Sequence, residues 1–211
     1  MADPARRAEV AALLRVLGHE FVARELSDAD LDALDDEVTG ILARLGSRPE
    51  RPRRTTREAV ARFTQDDGLI EPIERRQLFA DSIVSGGANP MGLGAELWRE
   101  GDVAVMQVTL GRAFEGAPAR SHGGVVAALL DETMGMAMGM SGTLSLTAEL
   151  TITFRAPTPI GVPITSRAWL ERRHGRKQHV RASLSAGDLV VAEATGLFIA
   201  VDPATVLDGD L

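Results

Sequence analysis

The sequence contains no cysteine, which excludes disulfides, thiolate metal sites and a cysteine nucleophile, and suits a reducing, cytoplasmic setting. It is almost without lysine: of 23 basic residues only Lys177 is one, a bias more typical of genome composition than of chemistry. It lacks a leader-like run as well. "MADPARRAEVAALLRVLG" is broken by Glu9 and Arg15 and no small-residue cleavage site follows it. The most apolar stretch, 123–140, carries Asp131 and Glu132 together with several glycines, so it suits a core helix and not a bilayer span. Positive charge is in deficit, at −7 net, which argues against nucleic acid as a partner, and a membrane partner is not expected either. His19, His122, His174 and His179 have no metal-ligand spacing, "HEFVA" has no second histidine at i+4, and "GLGAEL" lacks the last glycine of a dinucleotide loop. No metal and no cofactor are expected.

What is present divides along the chain. From about Ala5 to Leu45, Val10, Leu13, Leu14, Leu17 and Phe21 recur at helical spacing, and Ser27 stands as a capping candidate ahead of a second amphipathic run. Ten acids face five arginines in this section, the wrong sign for a DNA-reading helix pair. "GSRPERPRRTTRE" is basic and broken by prolines, which reads as a linker into a short helix near residues 57–63. Beyond "SIVSGGANPMGLG" the pattern turns to strands. "AELWRE" and "VAVMQVTL" flank a Gly-Asp pair, a hairpin signal. A single helix of some 15 to 18 residues follows. "LSLTAELTITFRA", "ITSRAWLERR", "KQHVRASLSA" and "LVVAEATGLFIAV" then form a meander through the turns "PTPIGVP", "HGR" and "AGD". One long apolar helix and four or more antiparallel strands make an α+β layout, with a curved sheet wrapping the helix.

The chemistry concentrates in "SHGGVVAALLDETMG", residues 121–135. A helix N-terminus presents unpaired N–H groups and a partial positive charge, suited to a polarised carbonyl, and glycines there let a substrate approach the backbone. Gly123 and Gly124 stand at that point. Asp131 and Glu132 diverge by about 100° on a helix, so at most one faces a cleft. A carboxylate within an apolar helix is costly unless paired, which suits a general base or nucleophile. Seven residues separate Gly124 from Asp131, roughly 10 Å along the axis, too far for one carbonyl to touch both. If both act on one substrate, the carboxylate comes from a second copy, and a two-fold dimer supplies two such sites.

His122-Gly123-Gly124, the apolar helix and an acid nine positions after the histidine resemble the hotdog-fold acyl-CoA thioesterases, in the branch holding the phenylacetate-pathway and 4-hydroxybenzoyl-CoA enzymes. The resemblance runs from about Phe79 to Val201. It implies a hotdog fold, a helical extension over 1–65, a connecting segment over 66–78, the hotdog domain over 79–203 and a tail over 204–211. It further implies thioester hydrolysis by a homodimer or dimer of dimers, with Asp131 over Glu132 as base or nucleophile. Gly124 N–H would be the oxyanion donor, and His122 would orient the loop. "SLTAELTITFRAPTP" resembles the family's following strand, which implies Thr147 as the hydroxyl positioning water or carboxylate; "GGANPMGLG" resembles its Asn-Pro loop and places Asn89 near the acyl pocket. Gly123 would border the substrate. Arg120, Arg155 and the turn residues Arg172, Arg173, Arg176 and Lys177 are candidates for CoA phosphates. Gly116 departs from an Asn found in some relatives. The alternative function is a non-catalytic acyl-CoA sensor, which the acidic N-terminal section and Asp131 both disfavour.

Overall fold

The computed structural model describes residues 3–51, 72 and 78–202. The expected short helix at 57–63, the connecting segment at 66–78 for all but its last residue and Pro72, and the tail at 204–211 lie outside the described residues. Helix α1 spans Pro4–Ala23 and α2 spans Asp28–Gly46. Each starts where its capping residue allows: Asp3 accepts from Ala5 N–H ahead of Pro4, and Ser27 closes a reciprocal capping box with Asp30.

Strands β1 (Glu96–Glu100) and β2 (Val103–Thr109) form the expected hairpin, with Gly101 supplying the positive φ of 61° that the turn requires. A 3-10 turn (Arg112–Phe114) leads into a small ribbon of β3 (Glu115–Ala117) and β4 (Arg120–Ser121), which the sequence pattern did not announce. Helix α3 then runs over Gly123–Met140, and β5 (Ser145–Phe154), β6 (Pro163–His174), β7 (Lys177–Ala186) and β8 (Leu189–Ala200) complete the sheet.

The six long strands lie in the order β1-β2-β6-β7-β8-β5, all neighbours antiparallel. This is the α+β hotdog arrangement: α3 crosses the inner face of the sheet and packs on β2, β5, β6, β7 and β8. Alternate residues of β6 and β7 point at the helix, such as Ile164, Ala168, Val180, Ala182 and Leu184, and all are buried. From α3 itself, Leu129, Leu130, Met134 and Met136 are wholly buried, at roughly 1.5–3 kcal/mol each from removing the side chain from water. Gly196 on β8 permits this closeness: a Cβ there would stand 2.9 Å from Met134 Sδ.

One connection departs from a simple meander. "PTPIGVP" does not turn β5 back onto β6; β5 pairs with β8, two strands away from β6. The 155–162 segment bridges that gap past the start of α3, held by Ser121 N–H to Thr158 C=O and Arg155 N–H to Val191 C=O. Strand β5 is thereby an outer strand of the sheet, and most of its side chains are exposed. Among the described residues, no helix is long and apolar enough to cross a membrane.

Candidate active site

His122 begins α3 as its N-cap, and its ring Nδ1 accepts from Gly124 N–H at 3.0 Å. The bond explains both flanking glycines. A Cβ on Gly124 would sit 3.1 Å from that nitrogen, and one on Gly116 would come within 2.7 Å of His122 Cα. The departure at Gly116 therefore makes room for the capping histidine. Gly124 N–H, the expected oxyanion donor, donates to the ring nitrogen in the single chain. Gly123 N–H has no acceptor among the described residues and remains the open donor at the helix start.

Gly123 opens onto a cavity of about 340 Å³ lined by Arg120, Ser121, Val126, Phe154, Arg155 and the 156–158 segment. The Phe154 ring overhangs it, 3.4 Å from where a Cβ on Gly123 would stand. Arg120 and Arg155 border the mouth, although Arg155 already holds Glu193 at 2.7 Å.

Further along α3, the two neighbouring carboxylates separate in role. Asp131 points toward β5, where Thr147 Oγ1 donates to its Oδ1 at 2.8 Å. Asp131 is half-buried and Thr147 exposed, so this pair sits at the open edge of the sheet. Glu132 turns the other way and accepts from Ser85 Oγ at 2.7 Å and Ser82 Oγ at 3.2 Å. Ser85 is fully buried, and the carboxylate anchors the 82–95 loop onto α3.

Residues 121–193, from Ser121 and the capping His122 of α3 through Asp131 and Thr147 into β8, match the model of the thioesterase superfamily. That similarity to the superfamily lies wholly within the helix-and-sheet domain. The thioesterase domain and its extension are together similar to the acyl-coenzyme A thioesterase THEM4 of Bos taurus, 29% identical over 161 residues, covering 74% of this chain and 66% of the bovine protein. The same protein of Mus musculus is 27% identical over 215 residues, covering 96% of this chain and 92% of the mouse one. A crystal structure of a thioesterase superfamily protein superposes with a TM-score of 0.76 at 23% identity, over 92% of this chain and 90% of that one, which speaks for the fold alone.

The remaining expected residues of the thioesterase domain fall in different places. Asn89 does not line the cavity at Gly123: its amide donates to Asp81 C=O at 3.0 Å and accepts from Met91 N–H at 2.8 Å, within the loop's own turn. Arg173 reaches Thr143 Oγ1 at 3.0 Å, at the C-terminal end of α3, and Arg176 donates to Ala200 C=O at 3.0 Å. Arg172 and Lys177 stand exposed beside them. The register places Arg173, Gln178, Phe198 and Thr147 in one row across the sheet, so this basic turn belongs to the carboxylate's end of the molecule. Arg120 and Arg155 belong to the other end, with Gly123. Within one chain the structure brings Asp131 to Thr147 and does not bring either to the helix start. Phe154 escaped the sequence reading as a pocket residue, though it was visible as the aromatic of the β5 motif. Among the described residues no cluster of acids and histidines could hold a metal ion.

Proposed function

We propose that the chain hydrolyses a thioester of coenzyme A, or the equivalent acyl-carrier-protein thioester, as a dimer with two composite sites. The observation that carries this reading is the Thr147–Asp131 hydrogen bond at the open edge of a thioesterase-superfamily domain. The hydroxyl fixes one oxygen of the carboxylate. The names of the THEM4 relatives support coenzyme A as the carrier.

In each site the thioester carbonyl lies against the N-terminus of α3 in one protomer, where Gly123 N–H and the helix dipole meet the developing oxyanion. Gly124 serves indirectly, holding His122 in place and thereby the backbone at the helix start. Asp131 comes from the partner, because seven helical residues set it roughly 10 Å from the glycines of its own chain. As base, it takes a proton from water while the water oxygen attacks the carbonyl carbon; collapse of the tetrahedral species expels the thiolate, which leaves as the thiol on taking that proton. As nucleophile, its carboxylate oxygen attacks the carbonyl carbon and expels the thiolate, leaving a mixed anhydride; water then cleaves the anhydride to the free acid and the carboxylate, and its proton goes to the thiolate. The exposed outer strand β5, with Leu146 and Phe154 on its surface, is the edge at which a second copy fits. Arg120 and Arg155 at one end and Arg172 and Lys177 at the other are the cations available to phosphates.

Ellman's reagent offers a direct test, since a protein without cysteine adds no background. Asp131→Asn is expected to lower thiol release from acyl-CoA by about 10²- to 10⁴-fold or more while the dimer stays folded. Full turnover in that variant would overturn the assignment. Thermal stabilisation by acyl-CoA with no thiol released from the unaltered protein would favour the sensor.

A further inference from the structure

The N-terminal helices present their apolar residues the wrong way round for a domain that packs on itself. Helix α1 rests on the thioesterase domain through Ala8, Ala11, Ala12, Arg15 and His19, of which Ala11 is 3% exposed. Arg15 donates to Asn89 C=O at 2.7 Å, and His19 stacks edge-on against Phe114 with ring centres 5.0 Å apart. Its opposite face carries Val10, Leu14, Leu17 and Phe21, all exposed, with Leu13 beside them at 66%. Helix α2 has no buried residue at all. Leu31, Leu34, Val38, Ile41 and Leu45 line one side of it at strict three-four spacing, the seam of a coiled coil.

The two seams fit each other in one register. Set parallel, Val10 meets Leu34, Leu14 meets Val38, Leu17 meets Ile41 and Phe21 meets Leu45. The flanking positions that touch in that register are then Arg6 with Asp35 and Leu13 with Leu42: one pair of opposite charges and one apolar pair, with no like-charge contact. Two copies of α2 side by side in the same manner would instead oppose Asp30 with Asp35 twice.

Parallel pairing cannot form within one chain. Residues 24–27 join the helices and span at most about 18 Å, whereas a parallel α2 would have to begin roughly 28 Å back along the axis. Neither does the seam suit a lipid surface: α2 carries six acids and one arginine, which an anionic membrane repels.

We infer that α2 of one copy docks in parallel on the outward seam of α1 of a second copy, and reciprocally, so that the extension ties two protomers together. The inference does not depend on the catalytic reading. It is tested in the full chain, where introduced cysteines have no native competitors. Copies carrying only Leu17→Cys are mixed with copies carrying only Ile41→Cys, oxidised under mild conditions and separated without reductant. Both positions are exposed in the single chain, and circular dichroism checks that folding is unchanged. The expected result is the heterologous cross-link in roughly tenfold excess over either homologous one, falling with Asp35→Arg and recovering when Arg6→Asp is added to the other copy. Dominant Ile41→Cys homodimers, an intrachain disulfide in the double variant at high dilution, or no cross-link at all would each overturn it.

Discussion

Helix α3 and helix α1 are both rich in apolar residues, and the molecule uses them in opposite ways. α3 is apolar around almost its whole girth and sits inside the sheet, with ten of its residues buried. α1 is apolar on one face, yet it lays the other face on the domain, using alanines that permit close approach and two polar side chains that find partners. The difference teaches that an apolar stripe reports a need for burial without naming what meets it. For α3 the partner is the curved sheet of its own chain; for α1 and α2 it is a surface outside it.

The comparison breaks first at its strongest point. Leu130→Ala in α3 removes a fully buried side chain and is expected to cost about 2–5 kcal/mol of unfolding free energy, whereas Leu14→Ala in α1 costs under about 0.5 kcal/mol at concentrations where copies are separate. Urea denaturation of both variants at low protein concentration measures the gap. Equal losses would mean that the seam of α1 is already covered.

Next is the contact that α3 makes through a carboxylate. Glu132→Ala strands the hydroxyl of buried Ser85, and the expected penalty is about 1–3 kcal/mol. Amide exchange should rise in the 82–95 loop while thiol release, once corrected for folded fraction, stays near that of the unaltered protein. The smallest effect belongs to the docking of α1. Partial burial lowers the pKa of His19 below its ordinary value of 6.5, and the neutral Nδ1 accepts from Ala113 N–H at 3.2 Å. The contact therefore contributes stability above pH 6.5 and loses it as the pH falls through the lowered folded value. Amide exchange of α1 against pH should show protection fading on that acid side, and His19→Gln should remove the dependence without altering the core.

Much of the fold was legible in the residues. The Gly101-Asp102 turn, the capping signal at Ser27, the extent of α3 and the two tight connections at Gly175 and Gly187 follow from local rules about φ, capping and alternation, which need only neighbours in sequence. The placement of β5 was not. "PTPIGVP" has the length and prolines of a turn, and only the gap left at the β8 edge sends β5 there. Site residues divide in the same way. The pairing of Asp131 with Thr147 followed the family motif, while Asn89 was drawn into its own turn by two backbone partners that no motif encodes.

The sequence by itself determined the long helices and the six long strands, and that seven helical residues keep Asp131 from the glycines of its own chain. Those are consequences of covalent spacing and backbone geometry, and no environment alters them. Only the tertiary structure decided that His122 occupies Gly124 N–H and leaves Gly123 open, that Glu132 belongs to a buried serine, and that α1 faces its alanines inward. Each of those is a competition among partners for one donor, one acceptor or one surface, and it is settled by which of them the fold brings within reach.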